Sequence, residues 1–303
     1  MGDDAALVRP SARRHILLTT DLLIEGVDFD PDTSSFDQIG HKAMAANLSD
    51  IAAMGGIPKY VMVAIALPTR TPMRSLDLLY QGMMRLARRY GVRLIGGDTS
   101  ASFHGIMVAL SVIGEAEQGQ AITRSGARPG DRIFVTGSLG NSKAGLEILK
   151  RRKARFPYLV RRHLYPLPRV KEGRLLATRR LATAMLDLSD GLASDLRHLC
   201  EASRVGARID RSKIPLSPPL VEYAREKGND PFHYALTGGE DFELLFTVRP
   251  SRIRALEHLQ SQRRLTVFPI GEITTQRHGI TIVEQDRRER RLTEQGYEHF
   301  RVV

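Results

Sequence analysis

The chain has 303 residues, 42% hydrophobic and 26% charged, enough for two packed cores because single cores stop growing near this length. A formal net charge of +11 raises nucleic-acid binding, but the cations are dispersed, Arg287, Arg288, Arg290 and Arg291 alternate with acids, and tryptophan is absent. Solvated basic faces that attract small anionic substrates are the better expectation. No apolar run approaches the ~18–20 residues of a membrane span, MGDDAALVRP lacks a signal-peptide core, and the single cysteine excludes an intramolecular disulfide. A cytoplasmic protein is expected, with Cys200 a buried thiol.

In chain order, His15–Thr20 has strand composition, and alanine-rich Gln38–Met54 is a helix stopped by Gly55-Gly56. Tyr60–Leu67 returns to strand, Met73–Tyr90 is an amphipathic helix closed by Gly91, and strands follow at Val92–Ile95 and Ile106–Ile113. The polar, glycine-rich segment after Glu115 predicts a boundary, dividing the chain into residues 1–118 and 119–303. Beyond it the pattern predicts strand Ile133–Thr136, a turn from Gly137 to Gly140, and helices Ser142–Lys150 and Val170–Thr178. Strand Ala184–Leu188, helix Leu192–Ser203, strands Ala207–Ile209 and Phe242–Val248, and helix Arg252–Gln262 complete the reading. Gly137–Gly140 is either a helix-opening turn or a phosphate cradle; it has no Walker lysine.

Acids recur where apolar runs end. Asp21 follows ILLTT, Asp98 follows RLIGG, Asp187 and Asp190 end AMLDLSD, and Asp50 sits late in the alanine-rich helix. Carboxylates at the rim of an open α/β sheet face its ligand site, and so many together require a hard divalent cation. GDD, TTD, NLSD, GGDTS and DLSDG all join acids to glycine or hydroxyls, which isolated turn formers or helix caps do not explain as a set. No pair of histidines spaced for zinc and no G-x-S-x-G elbow occurs.

With TTDLLIEGVDF, KAMAANLSDIAAMGGIP, IGGDTS, TRSGARPGD, VTGSLGNSKAGL, DLSDGLASDL, GGEDFEL and GYEHF, the chain resembles the thiamine-monophosphate kinases, relatives of aminoimidazole-ribonucleotide synthetase, nearly end to end. The resemblance implies an α/β, two-domain fold: an N-terminal four-stranded sheet with helices that pairs across a homodimer into a barrel, and a C-terminal α/β sandwich domain. It implies phosphorylation of thiamine monophosphate to thiamine diphosphate by ATP with several Mg2+ ions. Matched motif by motif, metal ligands fall on Asp4, Thr19, Thr20, Asp21, Asp50, Asp98, Asp187 and Asp190, and nucleotide contacts on Asp98, Arg124 and Ser189. Of these, Asp50, Asp98, Arg124 and Asp190 are the expected catalytic residues. The substrate side falls on Glu240, on position 28 and on Tyr297, whose ring either stacks on the cationic heterocycle or packs the tail.

Two features depart from the family pattern. The family carries a further segment before GIGDD, whereas this sequence opens at Met1-Gly2-Asp3-Asp4, and Asp28 stands where the family's G-x-H-F has a histidine. Within the superfamily, a selenophosphate synthetase would carry a reactive N-terminal cysteine and a hydrogenase-maturation homologue a C-terminal one; neither is present in this sequence. A catalytically silent nucleotide- or nucleic-acid-binding relative is the rival from another class.

Overall fold

The computed structural model describes residues 6–8, 13–151 and 155–298. Its first part is a sheet of β1 (Ala6–Val8), β2 (Arg14–Ile24), β3 (Ile57–Pro68), β4 (Arg93–Ser102) and β5 (Met107–Glu117), in the order β1-β2-β5-β3-β4. The expected four strands therefore gain a fifth, three-residue one. One face of this sheet is covered by α1 (Phe36–Ala53) and α2 (Met73–Arg89). A capping box opens α1: Gln38 N–H donates to Ser35 Oγ, and Ser35 N–H donates to Gln38 Oε1 at 2.8 Å.

The second part is a seven-stranded sheet ordered β12-β11-β8-β10-β6-β9-β7. Its strands are β6 (Arg132–Val135), β7 (Ala182–Asp187), β8 (Val205–Asp210), β9 (Leu244–Val248), β10 (Phe268–Thr275), β11 (Ile280–Val283) and β12 (Glu289–Arg291). Around it lie α3 (Asn141–Lys150), α4 (Pro157–Leu164), α5 (Val170–Thr178), α6 (Leu192–Ser203), α7 (Pro218–Lys227), α8 (Pro231–Thr237) and α9 (Ile253–Ser261). A continuous apolar core runs from Leu48 and Val112 in the first part to Leu176, Met185 and Phe246 in the second. Helix α1 packs on β2 and β5 and also on α5 and β7, so it joins the two sheets. Cys200 is buried on α6 as expected, and burial pushes its thiol up to about 12. Among the described residues no helix is long and apolar enough to cross a membrane.

Two strand ends need correction. β2 continues three residues past Asp21 and β4 four past Asp98, so both acids stand inside strands rather than at their carboxyl ends. Asp187 is the last residue of β7, as read from the sequence.

Candidate active site

A cleft of about 1070 Å³ opens between the end of β2, helix α1 and the loops around residues 189–190, 239–242 and 294–298. It gathers six of the expected residues: Asp21, Asp28, Ser189, Asp190, Glu240 and Tyr297. Backbone hydrogen bonds tie the three loops together, Glu240 N–H donating to the Ser189 carbonyl at 2.8 Å and Tyr297 N–H to that of Asp190 at 3.0 Å. Glu240 and Phe242 take left-handed φ of 65° and 49°, a conformation that costs a non-glycine residue free energy and concentrates at functional loops. Tyr297 lines the cleft and is 47% exposed, so it is not packed into the core. Burial, then Asp28, Glu240 and Asp190 in turn, hold its phenol above the ordinary value.

Asp28 folds back on its own turn: Ile24 N–H donates to its Oδ2 at 2.8 Å. Lys42, buried on α1, donates to the Asp28 carbonyl at 2.8 Å and pairs with Glu240 Oε1 at 2.5 Å. This lysine was missed from the sequence, although a cation amid the alanines of HKAMAAN was the available signal. His163, buried on α4, lies 3.0 Å from Ser142 Oγ and 3.5 Å from Glu240 Oε2. Burial, reinforced by Lys42 and Lys150, lowers its pKa well below the ordinary value, so it is neutral near pH 7. Lys143 donates to Thr237 Oγ1 at 2.6 Å, and burial lowers its pKa too.

Beneath the cleft, consecutive residues of α1 reach the two sheets. Thr19 Oγ1 of β2 donates to Asp50, while Ser49 Oγ donates to Asp187 of β7 at 2.5 Å. Thr19 and Asp21 share the helix-covered face of β2; the Thr20 hydroxyl is on the other face, donating to the Leu110 carbonyl at 3.1 Å and accepting from Ser111. The donors are all oxygens, which suits a hard cation, and they meet in pairs: among the described residues no group of three or more His, Cys, Asp or Glu side chains could hold a metal alone. Asp4 lies outside the described residues.

Asp98 and Arg124 do not line this cleft. Asp98 pairs in register with Ala64, on the open face of the sheet, whereas Asp21 shares its rung with Leu110 and Val63 on the covered face. Three strand spacings separate β4 from β2, roughly 14 Å. One magnesium ion spans only about 4 Å between opposite ligand oxygens. Asp98 is thus on the opposite sheet face from Asp21 and does not line this cleft. Arg124 lies between β5 and β6, its carbonyl accepting from Ser203 Oγ at 3.0 Å.

The turn Gly137–Gly140 opens a helix. Gly140 (φ 82°) precedes α3, and the buried Asp241 carboxylate accepts from Gly140 N–H and from Ser142 N–H at 3.1 Å, so the protein's own acid fills the anion position at that helix start. Arg162 and Arg169, far from being solvated, donate at 2.6–2.7 Å to Glu243, which is 1% exposed.

Residues 2–116 match the family model for AIR synthase related protein, N-terminal domain, and residues 128–284 that for its C-terminal domain. The thiamine-monophosphate kinase of Bacillus subtilis (strain 168) is 38% identical over 307 residues, covering 99% of this chain and 93% of its own. That of Escherichia coli (strain K12) is 38% identical over 305 residues, covering 99% and 91%. A solved structure described as AaThiL complexed with AMPPCP and TMP agrees with TM-score 0.88 and 34% identity over 99% of this chain and 92% of that one. Escherichia coli HypE, a hydrogenase maturation protein, shares the fold at TM-score 0.77 and 20% identity over 91% and 84% of the two chains. With identity of this degree sustained over nearly every residue of both chains, the protein belongs to the thiamine-monophosphate kinase family.

Proposed function

We propose that the chain transfers the γ-phosphoryl group of ATP to the phosphate of thiamine monophosphate, giving ADP and thiamine diphosphate. The cleft carries this reading: acids and lysines surround an exposed tyrosine ring, in a chain similar throughout to kinases of that name and to a structure holding AMPPCP and TMP. The acceptor is a phosphate monoester with a second pKa of about 6, already largely dianionic near pH 7, so no general base is needed. What must be overcome is repulsion between two phosphates, and positioning with charge neutralisation supplies that. Lys42 holds Glu240 at the cleft wall, Tyr297 offers a ring face to a cationic heterocycle, and the acids Asp28, Glu240 and Asp190 lie near that ring.

The oxygen donors Thr19, Asp21, Asp50, Asp187 and Asp190 fit magnesium, which keeps waters and takes its remaining ligands from substrate phosphates. When bound, the ion would neutralise phosphate oxygens. We assign the homodimer to the open face of the N-terminal sheet, where Leu22 and Met62 are 51% and 47% exposed and, among the described residues, β4 is the edge strand. Closure of two such sheets into a barrel would cover this face and give Asp98 a site to serve across the interface. Residues 1–118 and 119–303 are read as the two domains.

The test is a coupled assay of ADP release with thiamine monophosphate and Mg2+ supplied singly and together. Release requiring both, with inversion at a chirally labelled γ-phosphorus, is expected. Release indifferent to thiamine monophosphate would end the substrate reading, and retention would end direct transfer.

A further inference from the structure

A second concavity of about 620 Å³ lies where the two parts of the chain meet, and it shares no lining residue with the first. Its walls are the 119–125 connector, the turn from α5 into β7, and the turn from β9 into α9. The charged residues of the wall are Arg180, Arg249 and Arg252, and no aspartate or glutamate lines it.

Of these, Arg252 is held by the backbone rather than by an acid. After α5 the chain closes a Schellman motif: Arg180 N–H donates to the Ala177 carbonyl and Leu181 N–H to that of Leu176, both at 2.9 Å. Arg180 therefore occupies the left-handed position (φ 50°) that glycine favours, at a conformational cost, and it lines the concavity. Arg252 Nη2 donates to the Arg179 carbonyl at 2.7 Å, which joins the two arginine-bearing turns. Among the described residues neither Arg180 nor Arg249 forms an ion pair, whereas Arg162 and Arg169 elsewhere in the chain both pair with Glu243. Hydroxyls of Thr123, Ser125 and Ser251 complete a polar wall over a floor of Ile122, Leu176 and Leu181.

We propose that this concavity is an anion site separate from the candidate active site, and that it takes a diphosphate group. Guanidinium is the side chain suited to bidentate phosphate binding, and three of them around one recess exceed what an orthophosphate or carboxylate would need. Because Thr123 and Ser125 flank Arg124, an occupant contacts the segment that carries a residue assigned to nucleotide binding. The assignment of this site does not rest on the proposed reaction.

Hydrogen exchange of the amides of residues 249–252 reads this recess separately from the cleft and from Arg124, and the amides of residues 119–125 report on its other wall. The probes are inorganic pyrophosphate and ADP, with sodium chloride matched in ionic strength; whichever diphosphate protects at lower concentration identifies a free or an ester-borne source. Arg180→Gly combined with Arg249→Ala removes two guanidiniums while giving the left-handed position the residue it favours, so the fold is retained. Pyrophosphate or ADP should protect these amides in the natural chain, with midpoints raised by about tenfold or more in the double variant. Arg225→Ala with Arg277→Ala, which lowers the charge equally elsewhere, should leave the midpoints unchanged. No protection at millimolar diphosphate, equal protection by chloride, or identical midpoints in the two double variants would overturn the site.

Discussion

Glu243 accepts from Arg162, Arg169 and Thr136 while almost wholly buried, and it is the acid paired with Arg162, whereas Arg169 also meets Glu172 at 3.6 Å. Removing one member of such a cluster leaves uncompensated buried charge, and breaking a buried pair costs about 3–5 kcal/mol. Glu243→Gln should lower the urea-unfolding free energy by an amount in that range; a loss below ~1 kcal/mol would mean that water reaches the arginines. Two residues earlier, Asp241 is fully buried, and burial raises its pKa from 3.8 to about 7. A carboxyl whose folded pKa exceeds its unfolded value binds more protons when folded. Its contribution is complete below about pH 4 and is lost as pH rises toward 7. In Asp241→Asn the amide oxygen can still accept from the α3 start, so the variant should show a shallower fall of stability across that window. Identical slopes for the two proteins in thermal melts from pH 4 to 7 would contradict the assignment.

Helices α1 and α2 approach closely through glycines. A Cβ built on Gly82 would lie 1.9 Å from the Asp37 carbonyl oxygen, and one on Gly40 would lie 2.0 Å from that of Leu79. Because the clash is with backbone, the helices must separate to admit even a methyl group, and overpacking of this kind costs typically ~1–3 kcal/mol. Gly82→Ala should therefore melt earlier than the natural chain despite the better helix propensity of alanine, and a raised melting temperature would show that the contact gives way freely. Such long-range contacts explain which elements could be read locally. The bounds of α5 and α6 agree with their sequence pattern residue for residue, because apolar spacing and flanking breakers are local signals. Strand β4 runs seven residues beyond the predicted Ile95 because GGDTSAS has little strand propensity and is extended only by pairing with β3. Helices α4, α7 and α8, which begin at Pro157, Pro218 and Pro231, are short and were not anticipated. The same limit applies to the site. Motif spacing identified the acids, but only the register of β2, β5, β3 and β4 separates Asp98 from Asp21.

That separation makes a prediction about the assembled molecule. Asp50 meets Thr19 beneath the cleft, whereas Asp98 is on the open face of the same sheet, about 14 Å across it. If both acids serve one reaction in the proposed dimer, the second copy would supply one of them, because a two-fold pairing through the open face would bring each such face against its mate. Asp50→Asn and Asp98→Asn should each abolish turnover with the fold retained. Mixed after reversible dissociation, the two inactive proteins form heterodimers in which one site carries both substitutions and the other carries neither. Half of randomly mixed dimers are heterodimers and half of their sites are intact, so activity should recover to about a quarter of the natural level. Sites built within one chain leave every heterodimer with two damaged sites, and the mixture would stay inactive. A Met62→Asp change buries a charge in the proposed barrel in either variant, and introduced before mixing it should prevent recovery while shifting the protein to monomer in light scattering. Undiminished turnover by a monomeric Met62→Asp chain that keeps both acids would mean that Asp98 reaches its site by a motion within the chain, so dimer formation and activity must be lost together for the assignment to hold.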